Sequence, residues 1–340
     1  MARIALLCSA HGFGHVARQL AVAEALLLRG AEVEVWTAAP PELVHDYLPG
    51  LPVRSVRLDV GLVQSDSLTE DLPATARALE QYTSEAHVEG LVADLRDARL
   101  DAVLVDIAPA ALEAARRAGV PCLAIGNFDW AWIYSHYPEL HGFSELFARW
   151  QVPHRALRMQ PGAPLTHFAQ VVDVGVVGRW RPPVRPDAVT PQEQGVLVSF
   201  GGFGLDALDR VLPVVPGVRW LLAPPMRPLD RVDCSFVTGL SYPAMVGGAD
   251  RVLTKPGYGI FTELALAGTP AVLVRRPGFP EAAYLEPAFA ARGDVVLNGE
   301  SPEELRTALT DALARPATRP PPADRGGATR VADLILSAGA

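Results

Sequence analysis

Short, wholly apolar runs alternate along the chain with longer stretches in which apolar positions recur every three or four residues. Arg3 to Cys8 is such a run, and the stretch Val16 to Arg29 behind it puts Leu20, Ala23 and Leu27 on one helical face. Gly30 stands where a helix stop belongs. Glu32 to Thr37, Asp101 to Asp106, Val120 to Ile125 and Val171 to Val177 read as further strands, with a helix opened by Pro109 and closed by Gly119 between the third and fourth runs. The alternation restarts with Val196 to Phe200, Val218 to Ala223, Ser235 to Thr238, Arg251 to Thr254 and Pro270 to Val274. Helices are predicted over Tyr258 to Ala267 and Glu281 to Arg292, from Pro302 behind an N-cap at Ser301, and over Ala328 to Ser337. Fully apolar strands spaced by helices predict α/β architecture, with parallel sheets covered on both faces.

Between the two series lies Gly178 to Gln194, with four prolines and few apolar residues. We read 1–178 as an N-terminal Rossmann-like domain, 179–194 as a linker and 195–325 as a C-terminal nucleotide-sugar-binding Rossmann-like domain. The last helix, 326–340, could return to the first domain. Two doubly wound domains would face a central cleft at the carboxyl ends of their strands, where open α/β sheets bind ligands. The 340 residues, 49% hydrophobic, suffice for two such cores. A net charge of −8 argues against a nucleic-acid partner, which calls for a basic footprint. Cys8, Cys122 and Cys234 are too widely spaced for a zinc pattern or a disulfide framework and read as free thiols of a reducing cytoplasm. The apolar start is too short for a signal peptide, and no run is long enough to span a membrane, so a soluble cytoplasmic protein is expected.

Five segments could carry chemistry. His11, Gly12, Gly14 and His15 lie in a glycine-rich turn between the first strand and first helix, where backbone N–H groups meet an anion and a histidine titrates near neutral pH. The spacing is not the dinucleotide fingerprint, which needs a third glycine further on. Gly201, Gly202 and Gly204 repeat the device after the strand that opens the second series. Lys255, Gly257, Tyr258 and Gly259 form a strand–turn–helix in which Glu263, on the second turn, could accept both hydroxyls of a ribose. Arg275 and Arg276 could neutralise phosphate, with Glu281 on sugar hydroxyls. Eight of the 24 aromatic residues crowd into Phe128 to Trp150, denser than core packing requires, which suits recognition of a sugar, a lipid or a membrane surface. Asp106 and Asp129 are single carboxylates near strand ends, and no metal-binding pattern is present.

His11 to His15, the run Leu58-Asp59-Val60-Gly61-Leu62-Val63-Gln64-Ser65-Asp66-Ser67-Leu68, Asn127 to Trp130, Lys255 to Gly259 and Arg275-Arg276 together resemble the glycosyltransferase-like N-terminal region of L-arabinokinases, over about residues 3 to 300. Those proteins continue into a sugar-kinase domain with its own phosphate loop; a stand-alone protein without kinase activity is expected here. More distantly the chain is similar to the N-acetylglucosaminyltransferase of lipid-linked peptidoglycan precursor, whose turn histidine and ribose-binding glutamate match His15 and Glu263. The glutamine pair of that enzyme is absent here. The resemblance implies a GT-B fold and inverting, metal-independent transfer from a nucleoside diphosphate sugar, preferably a uridine one, as donor substrate and without a separate cofactor. His15, before His11, would be the general base. Gly201, Gly202, Lys255, Gly257, Tyr258, Gly259, Glu263, Arg275, Arg276 and Glu281 would hold the donor. Gly12, Gly14, Gln64, Asp66, Asp129 and Trp130 would face the acceptor. A nucleotide-sugar hydrolase or epimerase and a non-catalytic sugar sensor remain as rivals at this stage. Donor sugar, acceptor and oligomeric state stay open.

Overall fold

In the computed structural model the described residues are 1–10, 13–63, 70–200, 211–224, 226–275, 280–298 and 301–339. They form two compact units: Met1–Gly178 with Gly326–Ala340, and Arg179–Arg325.

The first unit runs β1 (Arg3–Cys8), α1 (Phe13–Leu27), β2 (Glu32–Thr37), α2 (Pro41–His45), β3 (Val53–Ser55), α3 (Leu72–Tyr82), α4 (Glu85–Ala98), β4 (Ala102–Asp106), α5 (Pro109–Ala118), β5 (Cys122–Gly126), α6 (Trp130–Tyr134), α7 (His141–Gln151), β6 (Arg155–Met159) and β7 (Gln170–Gly175). Among the described residues these strands make one parallel sheet in the order β3-β2-β1-β4-β5-β6-β7. Its central strands are buried along their length because helices cover both faces, which is why they read as unbroken apolar runs. The helix α5 starts with Pro109, whose missing N–H costs nothing there, and ends at Gly119, with φ of 74° in the left-handed conformation. Ala110, Ala111, Leu112, Ala114 and Ala115 are wholly buried, so the helix lies close against its neighbours.

The second unit runs β8 (Gln194–Ser199), β9 (Val218–Leu222), β10 (Cys234–Phe236), α8 (Tyr242–Gly248), β11 (Arg251–Thr254), α9 (Tyr258–Ala267), β12 (Ala271–Val274), α10 (Ala282–Ala291), β13 (Val295–Leu297) and α11 (Pro302–Ala314). Its strands are again all parallel, in the order β10-β9-β8-β11-β12-β13. Val196, Val198, Trp220, Leu222, Leu253 and Val272 are at the heart of its core. The proline-rich segment 179–194 is not a loose tether, since it is bound to this unit. Val184 donates its backbone N–H to the Ala244 carbonyl, and Arg185 Nη1 reaches both oxygens of Asp250 at 2.9 and 3.0 Å.

The final helix, α12 (Gly327–Ala338), belongs to the first unit. Arg29 binds Asp333 at 2.6 Å, and Arg330 donates to the Val174 carbonyl at 2.9 and 3.1 Å. Gly327 comes so close to β7 that a Cβ would sit 2.0 Å from the Val176 carbonyl oxygen. No helix among the described residues is long and apolar enough to cross a membrane.

Candidate functional site

In each sheet the chain reverses its direction of travel beside the first strand, next to β1 and β4 in one unit and β8 and β11 in the other. These are the topological switch points at which open α/β sheets bind ligands. The chemistry-bearing residues gather at the carboxyl ends of these strands.

In the first unit the register pairs Cys8 with Asp106, so the turn after β1 opens beside that carboxylate. His15 stands in the first turn of α1 and Arg18 one turn further on the same face. Asp106 is completely buried and takes two bonds from the Arg18 guanidinium, Nε to Oδ2 at 2.7 Å and Nη2 to Oδ1. The Gln19 amide donates to Oδ2 at 3.0 Å, and His15 Nδ1 lies 3.0 Å from Oδ1. Arg18 Nη1 reaches Asn127 Oδ1 at 2.9 Å. Burial alone would raise the Asp106 pKa, but Arg18 and His15 hold the carboxyl below the usual carboxylate range. The residue after it, Ile107, has φ of 47°. A β-branched side chain in the left-handed region costs roughly 1–2 kcal/mol, held by the surrounding packing.

His15 is 7% exposed. Burial, and then the Arg18 charge, push its pKa below the ordinary histidine value, so the ring is neutral at pH 7. Among the described residues its hydrogen bonds fall on Nδ1, where Arg18 Nη2 also approaches to 2.6 Å. A proton on Nδ1 points at Asp106 and leaves the Nε2 lone pair to act as a base. A proton on Nε2 lets Nδ1 accept from Arg18.

A second carboxylate, Asp59, lies in the same buried region. The Trp130 indole N–H donates to its Oδ2 at 3.2 Å and the Ser9 hydroxyl binds it as well. Trp130 itself is 1% exposed, so it supports the site from beneath and does not offer a stacking face. Of the aromatic stretch, Phe128, Trp130, Tyr134 and Phe147 are buried and pack ring on ring, with Trp130 stacked on Tyr134 at 5.3 Å. Their density, which suggested an exposed recognition surface, builds a core. Asp129 is also buried and caps α6, accepting from the Trp132 N–H at 2.8 Å, with His167 Nδ1 at 3.4 Å. Gly14 is in the first turn of α1. His11, Gly12, Gln64 and Asp66 lie outside the described residues.

In the second unit Thr254 pairs with Ser199, and its hydroxyl donates to the Ser199 carbonyl at 2.5 Å. The Ser199 hydroxyl meets the Tyr242 hydroxyl. Lys255 and Gly257 form the turn, and Tyr258 and Gly259 begin α9. Gly257 has extended torsions that any residue adopts, and a Cβ there would meet open space. Glu263 is buried and bound through Oε1 to Arg179 at 2.7 and 3.1 Å. Burial raises its pKa and Arg179 partly offsets that. Arg275 forks onto Glu286 at 2.8–3.1 Å, so its charge already has a partner, and Glu281 is buried at the start of α10. Gly201, Gly202 and Arg276 lie outside the described residues. Among the described residues, no cluster of His, Cys, Asp or Glu is arranged to hold a metal ion.

Sequence reasoning overlooked Arg18, Gln19, Tyr242 and Arg179, and left Asp106 as a lone carboxylate. The i,i+3 spacing from His15 was the available signal for Arg18; the other contacts are long-range.

The chain matches no protein-family model. It is 31% identical over 301 residues to L-arabinokinase of Arabidopsis thaliana, a match that takes in 81% of this chain. The chain spans 28% of the length of that curated relative. Among solved structures, the glycotransferase of kitacinnamycin superposes over 99% of this chain and 98% of its own, with a TM-score of 0.66 and 18% identity. MurG of Acinetobacter baumannii covers 99% of this chain and 100% of its own, with a TM-score of 0.60 and 18% identity. The chain has the GT-B glycosyltransferase fold. In GT-B terms the His15 site belongs to the N-terminal sheet and the Glu263 site to the C-terminal one.

Proposed function

We propose that this GT-B chain transfers a sugar from a nucleoside diphosphate sugar, a uridine one by preference, to a hydroxyl acceptor, with inversion and without a metal. The observation that carries the reading is the buried His15–Asp106 pair at the β1/β4 switch point. His15 Nε2 takes the acceptor's hydroxyl proton while the oxygen attacks the anomeric carbon. The bond from that carbon to the diphosphate breaks, and its electron pair leaves with the phosphate. A single displacement from the opposite face inverts the centre. Asp106 orients the ring through Nδ1–H, as a buried carboxylate does in other histidine-dependent sites. The leaving diphosphate is assigned to the N-terminus of α9, where the helix dipole favours negative charge and an added Cβ at Gly257 would meet open space. Glu263, once it exchanges Arg179 for the ligand, holds the ribose.

Thermal shift against uridine, thymidine, guanosine and adenosine diphosphates and their sugars tests the donor site. A ligand at 100 times its dissociation constant adds about 2.7 kcal/mol. A selective shift that Glu263→Ala abolishes and His15→Ala retains is expected, with turnover lost in both variants. No shift with any nucleotide from folded protein overturns the reading. Turnover that survives His15→Ala overturns its catalytic half.

A further inference from the structure

Proton abstraction by His15 creates an imidazolium in a buried place, and that charge needs a counter-charge. In the simplest His–Asp pair the aspartate provides it. Here Asp106 is already neutralised, because the Arg18 guanidinium, which never gives up its proton, is bonded to both of its oxygens. Arg18 with Asp106 sums to zero, and protonated His15 would leave the group with a net positive charge. Besides Asp106, Asp59 is a buried carboxylate whose charge acts on His15.

Its placement is well defined. Trp130 donates to Asp59 Oδ2, Trp130 meets Phe128 edge-on at 5.5 Å, and Phe128 meets the His15 ring edge-on at 6.2 Å. Ser9, which also binds Asp59, directly follows Cys8, the register partner of Asp106. The backbone around Asp59 is tied down on both sides: the Tyr82 hydroxyl donates to the Leu58 carbonyl and the Tyr134 hydroxyl to the Gly61 carbonyl at 2.7 Å. The indole has only a donor to offer, so it faces a carboxylate oxygen that accepts. Burial raises the Asp59 pKa, and the Ser9 bond, the His15 charge and the Trp130 bond partly offset that. Its hydrogen-bond donors are neutral, whereas Asp106 is held by a cation.

We infer that Asp59 is the counter-charge of His15, the carboxylate that balances the imidazolium formed when His15 takes the acceptor's proton, and so a positioning residue acting through His15. The inference rests on the reading of His15 as the base. The other groups around the pair are Arg18 and Asp106, which cancel, Cys8, Tyr82 and Tyr134, which burial keeps neutral, Arg57, whose Nε lies 3.4 Å from the Asp59 carbonyl, and Asp129, between Phe128 and Trp130 in sequence, with His167 Nδ1 at 3.4 Å.

The test follows the His15 ring nitrogens by long-range 1H–15N NMR in the ligand-free protein from pH 8 downward, in the wild type, Asp59→Asn and Asp59→Glu. Asparagine keeps an acceptor oxygen for Trp130 while removing the charge and turning the second oxygen into an N–H donor; glutamate keeps the charge. The proton affinity of His15 should fall at least about tenfold in Asp59→Asn and stay near wild type in Asp59→Glu. Coincident titrations in the wild type and Asp59→Asn overturn the inference. So does a His15 that stays neutral in both down to the acid unfolding transition, because no counter-charge is then being supplied. The readout needs no sugar transfer, so a chain that turned over no donor would still give the answer.

Discussion

Asparagine at position 106 keeps the side-chain shape and deletes one charge, and its consequence can be worked from the contacts. Arg18 would lose its carboxylate while its side chain remains 3% exposed. A buried cation stripped of its partner costs about 3–5 kcal/mol. At roughly 2–4 °C per kcal/mol for a unit of this size, the melting temperature should fall by about 10 °C. Removing both charges in Arg18→Gln/Asp106→Asn leaves no orphan, so the double variant should be about 1–3 kcal/mol more stable than the sum of the single changes. The pH dependence has a definite sign. The folded pKa of Asp106 lies below its unfolded value of about 3.9, so its stabilisation is complete above that value. It is lost as pH falls through the folded pKa. The gap between wild type and Asp106→Asn should therefore hold near neutral pH and close on acidification. Calorimetry of the four proteins at several pH values measures all of this. An Asp106→Asn protein within about 1 kcal/mol of wild type at pH 7, or strictly additive changes, would refute the reasoning.

Three further outcomes are expected. Because the folded pKa of His15 is depressed, the unfolded chain binds that proton first, so stability should drop as pH falls below about 6.5; His15→Gln should flatten this slope in urea titrations at pH 7 and pH 5. Buried Arg251 donates to the Ala312 and Arg315 carbonyls at the end of α11, and Arg251→Ala should cost about 1–3 kcal/mol, seen as a lower urea midpoint. Gly327→Ala drives a methyl group into the Val176 carbonyl and should cost about 1–3 kcal/mol, with earlier proteolysis of α12 than in the wild type.

The buried parallel strands were the most legible part of the fold, since a strand covered on both faces has no polar side to blur its pattern. Arg3–Cys8 and Arg251–Thr254 coincide with their apolar runs, and Glu32–Thr37, with two glutamates on one side, was still found at its bounds. The strand β6 went unread because Arg155 and Arg158 interrupt it. Tertiary pairing makes that segment a strand, with Leu123 against Arg155 and Arg158 bound to Asp173 on β7. The glycine-rich turn marked His15, but its partner Asp106 is 91 residues away, and only the β1/β4 register brings them together. Arg179 was hidden differently: it lies 84 residues from Glu263, at the head of a segment whose prolines read as linker. Trp130 and Tyr134 show the converse error, for their i,i+4 spacing is also that of two rings stacked within a core.

The return of α12 to the first unit makes the second unit, in chain order, an insertion. Its two ends are fastened together, with the Arg325 guanidinium 3.8 Å from the centre of the Trp180 ring. During synthesis the first 178 residues leave the ribosome without the helix that covers α1 and β7. They must wait while 147 residues of another core are made. The inserted unit is complete in sequence as soon as Arg325 emerges, so it can close first although it begins second. Completion of the earlier unit is thus timed by the later one, and a nascent chain stalled before Gly327 would present an uncovered apolar flank to chaperones.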